Sequence, residues 1–184
     1  MSRQQSQKVA VWVITAVAVL VILPILLVII YVIVNGLSGI SWEFLSQPPS
    51  NGMTEGGILP AILGTVFLTL GTAVAAIPLG IGAAIYLAEY AGDTWLTRAI
   101  RLAIVNLAGI PSIVYGLFGL GAFVLFLNFG TSILAGSLTL GLMTLPVVIS
   151  TAEEAILAVP QTFRVVSLSL GATRWQTIRH QVLP

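Results

Sequence analysis

Few residues in this sequence are of types that do chemistry. There is no cysteine, hence no disulfide, thiolate metal site or thiol nucleophile. His180 is the only histidine, which leaves no imidazole cluster for a metal. Lys8 is the only lysine, so a phosphate-cradling GxxxxGK[ST] loop is impossible. Three carboxylates lie in or beside apolar runs, Glu89, Glu153 and Glu154. Glu153 and Glu154 are adjacent and point in different directions on a helix, which is no geometry for a paired acid and base. All three are expected to solvate helix ends at a membrane boundary. The sequence predicts no enzyme, no metal site and no cofactor.

The stretch Ala108-Gly109-Ile110-Pro111-Ser112 is more suggestive. A helix restarting at Pro111 would aim free backbone N–H groups, with the Ser112 hydroxyl beside them, into an apolar interior. Transporters meet anionic substrates with broken helices of this kind, so Gly109, Pro111 and Ser112 are candidates for a substrate pathway. An ordinary structural kink would use the same residues. No Lys or Arg lies deep in an apolar run, which argues against a high-affinity anion site inside this chain alone.

The elements that must position these residues are membrane helices. Of 184 residues 58% are hydrophobic and only 7% charged, against about 25% charged in an average soluble domain. Too few polar groups exist to cover a water-facing surface. The first apolar run, Val9 to Val34, is about 26 residues, roughly 39 Å of helix. That exceeds both the bilayer core and the short apolar core of a signal peptide, so it reads as a retained span. A polar stretch, Asn35 to Gly57, follows with turn signals at Pro48-Pro49 and Asn51-Gly52. A second span runs from Ile58 to Tyr90, and Asp93 to Arg101 is a short polar connection. A third span covers about Leu102 to Phe129, Asn128 and Gly130 mark a tight turn, and a fourth covers Ser132 to Ile149. From Thr151 onward the chain turns amphipathic.

An even number of crossings puts all seven Lys and Arg residues on one side, while Glu43 and Glu55 lie on the other. Basic residues stay cytoplasmic, so the N-terminus and residues 151–184 are expected inside. Within the second span Thr72, Ala76, Gly80, Ala84 and Ala88 recur every four residues, placing one small residue per turn on a single face. In lipid such a face lets backbones approach closely, either within the chain or at a subunit interface. Pro78 and Pro146 also fall inside spans, where each removes a helix hydrogen bond.

The last residues read PQTFRVVSLSLGATRWQTIRHQVLP. Pro160 suits a helix start, and Phe163, Val166 and Leu170 then share a face. Gly171 ends that helix, as a glycine accepting positive φ can. Thr173 with Gln176 forms a capping box for a second short helix, on which Trp175, Ile178 and Val182 make an apolar stripe. Two short helices hinged at a glycine could lie on lipid or dock in a groove of a soluble partner.

This segment resembles the cytoplasmic loop of ABC importer permeases, whose consensus is E-A-A, three residues, Gly, nine residues, then I-x-L-P. Gly171 takes the glycine position, and Val182, Leu183 and Pro184 match x-L-P. Val165, Val166 and Ser167 stand where E-A-A is expected, and Gln181 where Ile is. Longer stretches are similar to the PstA-type phosphate permeases: GGILPAILGTVFLTL (56–70), IPLGIGAAIYLAEYA (77–91), LAGIPSIVYGLFGLG (107–121), LPVVISTAEEAILAVP (145–160) and LGATRWQTIR (170–179). Ser150 stands where that family often has Arg.

The resemblance implies an all-α integral membrane protein of about four transmembrane helices followed by a cytoplasmic amphipathic coupling segment. Residues 1–57 would be an N-terminal transmembrane helix and extracytoplasmic loop. Residues 58–184 would be the N-terminal part of the permease domain, with 151–184 as its coupling loop. It also implies a phosphate-importing subunit of a bacterial cytoplasmic membrane, with a second permease, an ATPase dimer and an extracytoplasmic phosphate-binding protein as partners. Phe163, Arg164, Ser167, Leu170, Gly171, Arg174 and Trp175 would couple to the ATPase. Thr72, Ala76, Gly80 and Ala84 would pack helices. Permeases of this kind continue past the L-P with further spans, so the chain looks like the first two-thirds of one. A permease for another oxyanion, molybdate or sulfate, fits the same pattern, as does a membrane anchor that only docks a soluble partner.

Overall fold

Apolar length and capping chemistry set the elements of the structure, a computed structural model that describes residues 3–183. Among the described residues three helices are long and apolar enough to cross a membrane, or up to four spans if one bent pair counts as a single span. The chain is an all-α membrane protein. It divides into two units, Met1–Ile62 and Leu63–Pro184.

In the first unit, helix α1 (Arg3–Gly36) carries Pro24 in its interior. Large aliphatic side chains are exposed all round it between Val11 and Val34. A helix that is apolar on every side needs lipid as its surroundings. Helix α2 (Trp42–Ser46) starts where the Ser41 hydroxyl accepts the Phe44 amide at 3.1 Å. A small antiparallel hairpin follows, strands β1 (Pro49–Ser50) and β2 (Glu55–Gly56), with Pro49 opposite Gly56. Asn51, Gly52 and Met53 turn it with φ of 46°, 68° and 72°. The Asn51 amide braces the turn by donating to Glu55 at 2.6 Å. Gly57 then passes so near the Phe44 carbonyl that a Cβ there would collide with it.

The second unit is built on helix α3 (Leu59–Ile85), which widens into a π-helical turn at Tyr86–Tyr90. Helix α4 (Trp95–Ala108) begins when the Thr94 hydroxyl accepts the Thr97 amide at 3.3 Å. Helix α5 (Ser112–Gly119) continues as a π-helical stretch to Phe126 and lies at 97° to α4. Helix α6 (Ile133–Ala158) is capped by Ser132 and followed by α7 (Gln161–Ser169). Helix α8 (Arg174–Thr177) is the last, prolonged by a π-helical stretch to Val182.

Two boundaries differ from the sequence reading. Residues 95–101 are helix and not connection, because the Thr94 hydroxyl caps the helix start. Helix α6 runs well past Ile149: Thr151 turns its hydroxyl onto the Val147 carbonyl at 2.8 Å, and Glu153 finds a cationic partner. The helix stops only at Val159, held extended (ψ 124°) by the proline after it.

Pro78 and Pro146 are accommodated inside α3 and α6, while Pro111 sits at the α4–α5 break. A small apolar cluster in the unit is Ala84, Ile156 and Val182, with Ile85, Ala88, Ala152 and Val159 around it. The last helical stretch thus folds back onto the ends of α3 and α6.

Candidate functional site

Helices α7 and α8 form a hairpin bent at Gly171. This glycine has φ 86°, and an added Cβ would meet nothing within 4 Å, so the backbone conformation alone selects it. The capping box is formed: the Thr173 hydroxyl accepts the Gln176 amide at 3.3 Å, and the Gln176 side chain accepts the Thr173 amide at 2.8 Å. Across the bend the Ser167 and Thr177 hydroxyls share a hydrogen bond of 2.9 Å. On the outer face Phe163, Val166 and Leu170 are exposed, Leu170 at 84%. Arg174 is exposed as well. The stripe on α8 divides: Ile178 and Val182 are buried in the unit, and Trp175 stays half exposed.

The inner face of α7 carries Arg164, buried to 8%. Its guanidinium donates from Nε and Nη2 to Glu89 Oε1 at 2.9 and 2.7 Å. It also donates to the carbonyls of Ile156 at 2.8 Å and Val159 at 2.6 Å. Those carbonyls lie in the last turn and at the C-cap of α6, where the Ile156 carbonyl also accepts the Val159 amide at 3.3 Å. One side chain therefore neutralises a carboxylate on the π-helical turn and caps a different helix. Beside it, Arg101 of α4 pairs with Glu153 of α6 at 2.7 Å and donates to the Leu87 carbonyl at 3.0 Å. The π-helical turn is gripped from both sides.

This corrects the expectation that Glu89 and Glu153 merely solvate helix ends. Both side chains are only 13% exposed and ion-paired. By contrast Asp93 and Arg98 pair at 2.8 Å in open solvent. The Arg98 hydrogen bond, aided by the nearby Arg101 charge, holds the Asp93 carboxyl below the usual carboxylate range despite slight desolvation.

Gly109, Pro111 and Ser112 form the joint of the bent pair and are exposed. Tyr115, one turn into α5, reaches back across the joint and donates to the Leu107 carbonyl at 2.9 Å. On α3, Ala76, Gly80 and Ala84 are buried and Thr72 is half-buried. A Cβ on Gly80 would lie 2.5 Å from Val148 Cγ1 of α6, and one on Gly141 would lie 3.2 Å from the Ala75 Cβ. These helices approach through glycine on both sides.

The residues that sequence reasoning missed are Glu89, Arg101, Glu153 and Tyr115. A signal for three of them existed. Glu89, Glu153 and Arg101 fall at span edges on the same expected side, and an ion at such an edge is cheapest when paired. Among the described residues no three His, Asp or Glu side chains gather as a metal site.

Comparison with known proteins adds independent information. Residues 76–184 match the family described as "Binding-protein-dependent transport system inner membrane component". The chain is 37% identical over 154 residues to the probable ABC transporter permease protein YqgI of Bacillus subtilis, covering 84% of the chain and 52% of that protein. It is 40% identical over 161 residues to YqgH of the same organism, covering 83% and 51%. It is also 40% identical over 129 residues to the phosphate transport system permease protein PstA 1 of Mycobacterium tuberculosis, covering 70% and 42%. The chain spans about half the length of the curated relatives it matches. No solved structure gives a significant match.

Proposed function

Because this chain belongs to the family of binding-protein-dependent transport system inner membrane components, we propose that it is a permease subunit of an ATP-driven importer of inorganic phosphate. The α7–α8 hairpin carries the coupling part of the reading. It presents Phe163, Val166, Leu170 and Trp175 outward from one end of the helical unit, while Arg164 and Ile178 fix its inner side. Aromatic and aliphatic anchors on a rigid bent helix pair suit a groove on a soluble partner. That partner is an ATPase dimer, which binds and hydrolyses ATP.

Phosphate as substrate is supported by the relatives named as phosphate permeases, PstA 1 among them. The remaining partners are a second permease subunit and an extracytoplasmic phosphate-binding protein. The positive-inside rule supports an orientation with the N-terminus and residues 151–184 in the cytoplasm. In that orientation the loop after α1 is extracytoplasmic. The joint at Gly109, Pro111 and Ser112 contributes to the pathway. With no basic residue between Leu102 and Phe163, the charge that attracts an oxyanion comes from elsewhere in the assembly.

The test is to purify the complete subunit with its partners in lipid and measure ATP hydrolysis with binding protein loaded with phosphate, molybdate or sulfate. Phosphate alone should stimulate. Equal stimulation by molybdate or sulfate, or failure of any ATPase to co-purify, would contradict the proposal.

A further inference from the structure

We propose that Arg164 and Glu89 form a strut that carries displacement of the α7–α8 hairpin into α3 and α6, making Arg164 a positioning residue for transport. This rests on the coupling role proposed above and names the path by which it acts. Phe163 and Arg164 are neighbours in sequence, about 100° apart around one short helix, one facing out and the other in. Phe163 is 54% exposed and Arg164 is 8% exposed. A partner pressing on the outer face therefore pushes on the residue that holds the inner face.

The inner contacts are directional. Four hydrogen bonds from one guanidinium reach Glu89 on the π-helical turn after α3, and Ile156 and Val159 at the end of α6. A planar fork with five donors fixes angle as well as distance, which an ammonium does not. The π-helical turn, Tyr86–Tyr90, is the element on which the push arrives. Such turns interrupt the regular ladder and recur at functional sites. Arg101 holds the same turn through Leu87 and is itself tied to α6 through Glu153. Rotation of α7 therefore moves α3 and α6 together, and these two helices meet through glycine contacts with little slack, Gly80 against Val148 above all.

A purely structural role would give a different pattern. Breaking the pair by one substitution leaves a buried charge alone and impairs folding, whereas removing both charges restores a neutral, packed end. The informative variant is therefore Arg164→Met with Glu89→Leu in the full-length subunit, assembled with its partners in lipid vesicles; Arg164→Lys is the conservative companion. Three quantities are measured: ATPase recovered with the complex, ATP hydrolysis with and without loaded binding protein, and phosphate uptake.

A strut predicts that the double variant assembles and recovers ATPase like the parent. Its uptake should fall roughly tenfold, the scale of coupling between distant sites, and hydrolysis should no longer rise with loaded binding protein. Arg164→Lys, which keeps the charge but not the fork, should fall in the same direction. Parental uptake in the double variant would overturn the proposal. So would a loss of uptake in strict proportion to lost ATPase, which would make the pair a fold contact only. A parent complex without ATPase would overturn the functional reading itself, and with it the strut, and that control tells the two failures apart.

Discussion

The middle of α3 and its C-terminal end are held by opposite kinds of contact. In the middle, Ala76, Gly80 and Ala84 are buried because they are small, and the backbone approaches Val148 with no polar group involved. At the end, Glu89 and the Leu87 carbonyl are held by two arginines through hydrogen bonds of 2.7–3.0 Å. Shape governs the first region and charge the second. Lipid offers no hydrophobic gain for bringing helices together, so close approach and dispersion must hold the middle. At the boundary, burial of an ion is tolerable only with a partner. The first kind of contact can be weakened by adding atoms, the second by removing them.

The largest effect is expected at the charged end. Arg164→Ala leaves Glu89 buried without its partner, and loss of one member of such a pair costs about 3–5 kcal/mol. Thermal unfolding of the full-length subunit in detergent, together with its yield, reads this. Stability within error of the parent would show that the end of α3 does not depend on the pair. In the middle, Gly80→Leu forces a side chain into Val148 and should cost about 1–3 kcal/mol. Leu79→Ala, at a position 68% exposed, should cost less and leave the complex yield unchanged. Equal yields from the two would remove shape as the governing factor.

Gly171→Val tests a third case, a backbone conformation with empty space around it. A β-branched residue at φ 86° is strained by roughly 1–3 kcal/mol. The expected result is a displaced α7–α8 hairpin, seen as faster proteolysis after Leu170, with α3 and α6 intact. Asp93→Asn should have the smallest effect. Its pair with Arg98 is fully open to water, and exposed pairs contribute little. Because the Asp93 pKa is lowered, whatever the pair contributes is present above the usual carboxylate pKa and fades as pH falls through the lowered value. Unfolding temperature followed from neutral to acid pH should be the same for Asp93→Asn and parent within error.

The membrane class of the fold was legible because hydropathy and run length suffice for it. So were the capping box at Thr173 and Gln176 and the turn at Gly171, since both depend on local residue type. The 97° break between α4 and α5 was legible as a weak point at Gly109 and Pro111, but its angle was not. That angle depends on the Tyr115–Leu107 hydrogen bond and on packing against α6, which no local pattern carries. The π-helical turn at Tyr86–Tyr90 leaves no compositional trace, because one extra residue per turn shifts a face without changing its residues. The ion pairs were hidden for another reason. Arg164 and Glu89 are 75 residues apart, and only the return of α7 beneath α3 brings them together. The exposed apolar face of α7 was visible as a helical stripe, whereas Arg164 was expected to couple to the ATPase and its inward pair with Glu89 was not visible.

The most direct measurement is recovery of the ATPase by membranes carrying full-length subunit variants at matched expression. Phe163→Ala and Leu170→Ala remove outward anchors without touching Arg164, and each buried anchor at an interface is worth about 1–3 kcal/mol. Recovery should therefore fall severalfold for each, and further for Gly171→Val, while phosphate uptake falls in step. Parental ATPase recovery from all three variants would mean that the α7–α8 hairpin is not the docking element.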